Sequence, residues 1–180
     1  NNCQNVLWIR SDWLAKTGLD VPKTLADVEN LAKTFIQMKL GGDNTIGITT
    51  TSDLYTGYNA SWGLDTVFSY FDAYPGVWLK QADGSPVYGS VRSEVKNALS
   101  TLRNWYSDGI LDKEFAVRDE SGRQSLIGKG QCGMYFGVWW PSNGVADAAE
   151  LDPNADWIAV SAPLDSDGYL KAPQNDPIQK

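Results

Sequence analysis

Two stretches of helical periodicity, set among short apolar runs, limit what this 180-residue chain can fold into. Apolar side chains stand at Val91, Val95, Ala98, Leu99, Leu102, Trp105 and Tyr106, and the run stops near Gly109. Steps of three and four residues lay such side chains along one helical stripe. Leu25, Val28, Leu31, Ala32, Phe35 and Ile36 repeat the pattern and predict a helix running to about Leu40. Thr24-Leu25-Ala26-Asp27 ahead of it has the form of a capping box, with Asp in place of Glu or Gln. Residues 6–9, 45–49, 130–138 and 157–160 read as short strands. Long helices and a few short strands without regular alternation predict an α/β (α+β-like) domain with helices around one small mixed sheet.

Smaller signals fill in the rest. Ser11 can cap a helix over 12–17, with Gly18 as its stop. Leu64, Val67, Phe68 and Phe71 have helical spacing. Asp83-Gly84 between 77–80 and 86–88 signals a hairpin. A helix is expected over 121–127, and 139–150 reads as a loop leading into another. The tail, 173–180, is polar and reads as extended.

Several chemistries are excluded. The chain has no histidine, which removes Ser-His-Asp and Cys-His catalysis and imidazole-based metal sites. Its two cysteines, Cys3 and Cys132, make no zinc site; they are either two buried thiols or one disulfide. Asp43-Asn44 and Asp165-Ser166-Asp167-Gly168 look like pieces of calcium loops but lack the closing Glu. Neither a metal nor a cofactor is expected. A net charge of −7 repels polyanions, so no nucleic acid is expected as partner. The start, Asn1-Asn2-Cys3-Gln4, has no basic-then-apolar pattern, so a secretion signal would lie elsewhere. Eight Trp and eight Tyr point to carbohydrate, whose C–H faces suit flat rings and whose hydroxyls suit polar tips.

Three segments, in order, resemble one family. Leu7-Trp8-Ile9-Arg10-Ser11-Asp12-Trp13-Leu14 followed by Val21-Pro22-Lys23-Thr24 is similar to the opening of the second lobe in extracellular solute-binding proteins of the maltose-binding type. Asn104-Trp105-Tyr106-Ser107-Asp108-Gly109-Ile110-Leu111-Asp112 resembles a helix end of that family. Leu126-Ile127-Gly128-Lys129-Gly130-Gln131-Cys132-Gly133-Met134 resembles its segment entering a strand and a Trp-bearing loop. The resemblance implies a periplasmic-binding-protein type II fold, with residues 1–180 forming a single domain: the second (C-terminal) lobe of a two-lobe protein. It implies the sugar-capturing lipoprotein of a bacterial ABC importer, extracellular or periplasmic, and not an enzyme. Its partners would be a carbohydrate, the permease subunits and the missing first lobe.

In such proteins sugar sits between the lobes. Two segments of this chain resemble the family's cleft loops. In 50–62, Asp53 would accept from hydroxyls and Tyr55 would stack, with Tyr58, Asn59 and Trp62 nearby. Their plainer readings are a helix cap for Asp53 and a core ring for Tyr55. In 137–143, one of Trp139 and Trp140 would face the cleft while the other packs inward, and Asn143 follows as ligand contact or turn residue. The competing readings are a fragment of a carbohydrate-active enzyme, which would need two facing carboxylates, and a stand-alone carbohydrate-binding module.

Overall fold

The computed structural model describes residues 5–57 and 62–161. Its elements in chain order are β1 (Val6–Arg10), α1 (Ser11–Thr17), α2 (Leu25–Gln37), β2 (Ile46–Ile48), α3 (Asp65–Tyr70), β3 (Trp78–Lys80), β4 (Pro86–Tyr88), α4 (Ser93–Ser107), α5 (Glu120–Gly128), β5 (Cys132–Gly137), α6 (Asn143–Leu151) and β6 (Trp157–Val160). The main sheet has the order β2-β5-β1-β6. β2 runs parallel to β5, while β1 runs antiparallel to both β5 and β6. The fold is therefore the expected α/β arrangement around a small mixed sheet. β3 and β4 pair separately, as the hairpin expected around Asp83-Gly84.

Helices cover both faces of the main sheet, so its strands are apolar on both sides. Leu7, Ile9, Met134 and Phe136 pack in one cluster with Leu31 and Phe35 of α2 and Trp105 of α4. Trp8, Tyr135 and Trp157 pack in a second cluster with Leu126 and Ile127 of α5. Gly144 at the start of α6 lies so close to α5 that a Cβ there would stand 2.4 Å from the Gln124 carbonyl oxygen.

The helix boundaries follow from local chemistry. The capping box is present: Thr24 Oγ1 accepts from Asp27 N at 3.2 Å, and Asp27 accepts from Thr24 N at 2.9 Å. Lys23 N and Thr24 N, donating to it at 3.0 and 2.9 Å, hold the Asp27 carboxyl below its ordinary pKa. α2 ends at Gln37, short of the expected Leu40, because Lys39 turns left-handed at φ 51°. Leu40 nevertheless still packs on the first cluster. Ser11 does not cap α1. It is the first helical residue, and its amide and hydroxyl both donate to Asp156, at 2.9 and 2.5 Å. The apolar stripe of α4 is also narrower than its spacing suggests: Val95, Ala98, Leu102 and Trp105 are buried, Leu99 and Tyr106 are exposed, and Val91, also exposed, lies in a turn before the helix.

Cys132 is buried at the start of β5, and its Sγ–H donates to the Met134 carbonyl at 3.1 Å. Cys3 lies outside the described residues, as do 165–168 and the tail. Burial pushes the Cys132 thiol up to about 12, and only the thiolate reacts with alkylating agents. Native protein at pH 8 should therefore leave the Cys132 peptide unlabelled by iodoacetamide, and denaturation without reductant should expose it. Prompt labelling of the native state would contradict this burial.

Candidate functional site

Strand direction gathers the two candidate loops on one edge of the sheet. β2 and β5 are parallel, so both end there, with Ile48 opposite Met134. β1 starts at the same edge, with Val6 opposite Gly137, and β6 ends there, with Val160 opposite Leu7. The segment after β2, the segment after β5, Asn5 before β1 and Ser161 after β6 thus share this edge. Crevices outside the carboxyl ends of strands are the usual ligand positions in open α/β sheets.

The first loop is closed on itself. Leu64 N donates to Leu54 O at 2.8 Å. Below this closure lies Asp65, fully buried at the start of α3. Its carboxylate accepts from Thr56 N at 3.1 Å and from Thr56 Oγ1 at 2.9 Å. Ser52 N donates to Arg118 O at 3.3 Å, tying the loop to the segment before α5. Asp53 stands exposed on this frame and caps no helix among the described residues. Tyr55 is half-buried, with its ring edge-to-face on Phe68 at 5.1 Å. Burial raises its hydroxyl to about 12, so it remains a neutral donor. Tyr58 and Asn59 lie outside the described residues. Trp62 lies across the end of β5, so close that a Cβ at Gly137 would stand 2.8 Å from its ring.

The second loop is pinned at both ends and free between. Trp8 Nε1 donates to Val138 O at 2.9 Å. Ser142 N donates to the Tyr135 hydroxyl at 3.1 Å. Val138 and Ser142 are buried, yet Trp139 and Trp140 are 68% and 42% exposed. The two rings meet edge-to-face at 5.3 Å. The expectation that one ring packs inward is therefore corrected. β5 stops at Gly137, so strand alternation no longer sends neighbouring side chains to opposite faces. Asn143 is exposed as the first residue of α6.

Sequence reasoning missed the residue beneath these loops. Arg123 of α5 is fully buried. Its guanidinium lies 3.9 Å from the centre of the Trp62 ring and 5.4 Å from that of Tyr135. Its spacing gave a signal: it stands three and four residues before Leu126 and Ile127, which places it on the buried face of α5. Glu120, one turn earlier, supplies its counter-charge at 2.7 Å.

No protein-family model matches the chain. The polygalacturonan/rhamnogalacturonan-binding protein YtcQ of Bacillus subtilis is 30% identical over 132 residues, covering 72% of this chain and 25% of that protein. The lipoprotein LipO of the same organism is 26% identical over 162 residues, covering 87% of this chain and 32% of LipO. The chain thus spans about a quarter to a third of the length of these relatives. Among solved structures, the S. pneumoniae ABC-transporter substrate-binding protein FusA in complex with kestose superposes with a TM-score of 0.70 at 21% identity, over 93% of this chain and 33% of FusA. Maltose-bound MalE3 of T. maritima gives a TM-score of 0.66 at 19% identity, over 92% of this chain and 40% of MalE3. These superpositions establish the fold as that of one part of such binding proteins.

Proposed function

We propose that this chain, which belongs to the extracellular solute-binding proteins of the maltose-binding type, supplies one lobe of an oligosaccharide-capturing protein of an ABC importer. The observation that carries the reading is the exposed Trp139–Trp140 pair on a loop pinned at both ends, at the same sheet edge as Asp53 and Trp62. Pinned rings can stack on sugar faces without first being ordered, which lowers the entropic cost of binding. Asp53 accepts from hydroxyls, and Asn143 can donate and accept beside the rings. Tyr58 and Asn59 remain candidates of the same loop, and Tyr55 contributes its hydroxyl while its ring braces the loop.

A first lobe would close over this edge, with ligand bridging the two and shifting the population towards the closed form. The closed form docks on permease subunits at the outer face of the membrane, where the whole protein is lipid-anchored or periplasmic. The relatives support the substrate class: YtcQ is named for polygalacturonan and rhamnogalacturonan, and FusA holds kestose. Binding without turnover is favoured by the acids of the two loops. Among their described residues, Asp53 is the one carboxylate, whereas glycoside hydrolysis uses a pair roughly 5–10 Å apart. Helices on both faces of the sheet also separate this fold from an all-β binding module.

Calorimetry with an oligosaccharide panel tests the reading. The full-length gene product should bind, without release of new reducing ends. Residues 1–180 alone should bind at least 100-fold more weakly, because half the contacts are absent. Equal affinity of the two proteins, or turnover lost on changing one acid, would contradict it.

A further inference from the structure

We infer that Arg123 is a positioning residue that joins the two ligand loops through the interior of the domain. The inference rests on the ligand reading above. Three contacts define the joint. One face of the guanidinium lies against Trp62, at the end of the first loop, at 3.9 Å. Nη2 donates to Ser142 Oγ, at the end of the second loop, at 3.4 Å. Nε and Nη2 donate to the Glu120 carboxylate at 3.1 and 2.7 Å, fixing the plane of the fork. Tyr135 stands between the loops: its ring is 5.9 Å from that of Trp62, and its hydroxyl accepts from Ser142 N at 3.1 Å.

The remaining nitrogen, Nη1, is buried and has no hydrogen-bond partner. The guanidinium carbon lies over the Trp62 ring, whose negative quadrupole attracts the cation and offsets part of its desolvation. Trp62 is therefore part of what keeps Arg123 dry, and Arg123 sets the plane of Trp62. Lys could replace the charge but not the flat stack or the fork. A movement of either loop therefore disturbs Arg123, which with Tyr135 links the two. Ligand stacked on one loop thereby fixes the other.

The test measures amide exchange in the ligand-free full-length protein, then oligosaccharide affinity. Arg123→Met should speed exchange at Leu64 and at Ser142 by at least tenfold each, while Leu7 and Ile9 in β1 stay slow. Oligosaccharide affinity should fall at least tenfold, and the further loss on adding Trp62→Ala should be smaller than Trp62→Ala causes alone. If Arg123→Met does not fold, Arg123→Lys keeps the charge opposite Glu120 and should show the same pattern. Faster exchange at one loop only, acceleration of β1 in step with the loops, or additive affinity losses would each overturn the inference. A wild-type protein that binds no oligosaccharide overturns the ligand reading instead, and the exchange data still decide whether Arg123 joins the loops.

Discussion

Replacing Trp139 and Trp140 together by Ala should weaken oligosaccharide binding by about 30- to 1000-fold, equivalent to roughly 2–4 kcal/mol. The magnitude follows from area. A Trp ring buries about 150–250 Å² when fully covered, and about 25 cal/mol is gained per Å² of apolar surface removed from water. A sugar covering about half of the exposed part of each ring supplies roughly 1–2 kcal/mol per Trp. The fold should hardly respond. The rings are 68% and 42% exposed, and the loop is held by Val138 and Ser142 rather than by them. Surface changes of this kind stay within about 0.5 kcal/mol. Calorimetry and a thermal melt on the same sample separate the two effects. A large drop in melting temperature would show that the pair packs into the domain in solution.

Trp105→Ala should do the reverse, costing about 3–5 kcal/mol of stability and lowering the melting temperature by roughly 6–20 °C. Trp105 is fully buried on α4, and its Nε1 donates to Glu29 of α2 at 3.2 Å. Glu29 is in turn bonded to Lys33 at 2.7 Å, and Lys33 lies 3.0 Å from Asp108 at the end of α4. The carbonyl of Trp105 also accepts from Ile110 N at 2.9 Å, and Leu111 then bridges Ile48 of β2. Removing the ring opens a cavity and loosens a helix pair together with the strand that leads into the first ligand loop. Trp105→Phe keeps most of the packing and loses one hydrogen bond, so it should cost about 1–2 kcal/mol. Differential scanning calorimetry checks both. An Ala variant melting within about 3 °C of the wild type would contradict the packing.

The framework was legible because it rests on short-range rules. Thr24 and Asp27 announce the start of α2, and the periodicity through Phe35 and Trp105 marks two buried faces. Periodicity reports that a face is buried but not what covers it, nor whether a neighbouring constraint intervenes. Leu40 still packs against the core although its helix has ended, because Lys39 turns left-handed and Leu40 N returns to the Phe35 carbonyl at 3.2 Å. Ser11 looks like a cap, but its hydroxyl is taken by Asp156, 145 residues further on. The site was legible as two loops and not as a connected object. Resemblance supplied Asp53 and the Trp pair, while strand direction brought them to one edge. Asp65 and Arg123, which hold those loops from beneath, read in one dimension as ordinary helix charges.

Hydroxyl-radical footprinting of the full-length gene product, with and without a bound oligosaccharide, asks whether the sugar covers these two rings. Trp78 provides the internal control, being 70% exposed on the separate β3–β4 hairpin. Oligosaccharide should protect Trp139 and Trp140 and leave Trp78 fully reactive. Protection of Trp78 with Trp139 and Trp140 unchanged would contradict this expectation.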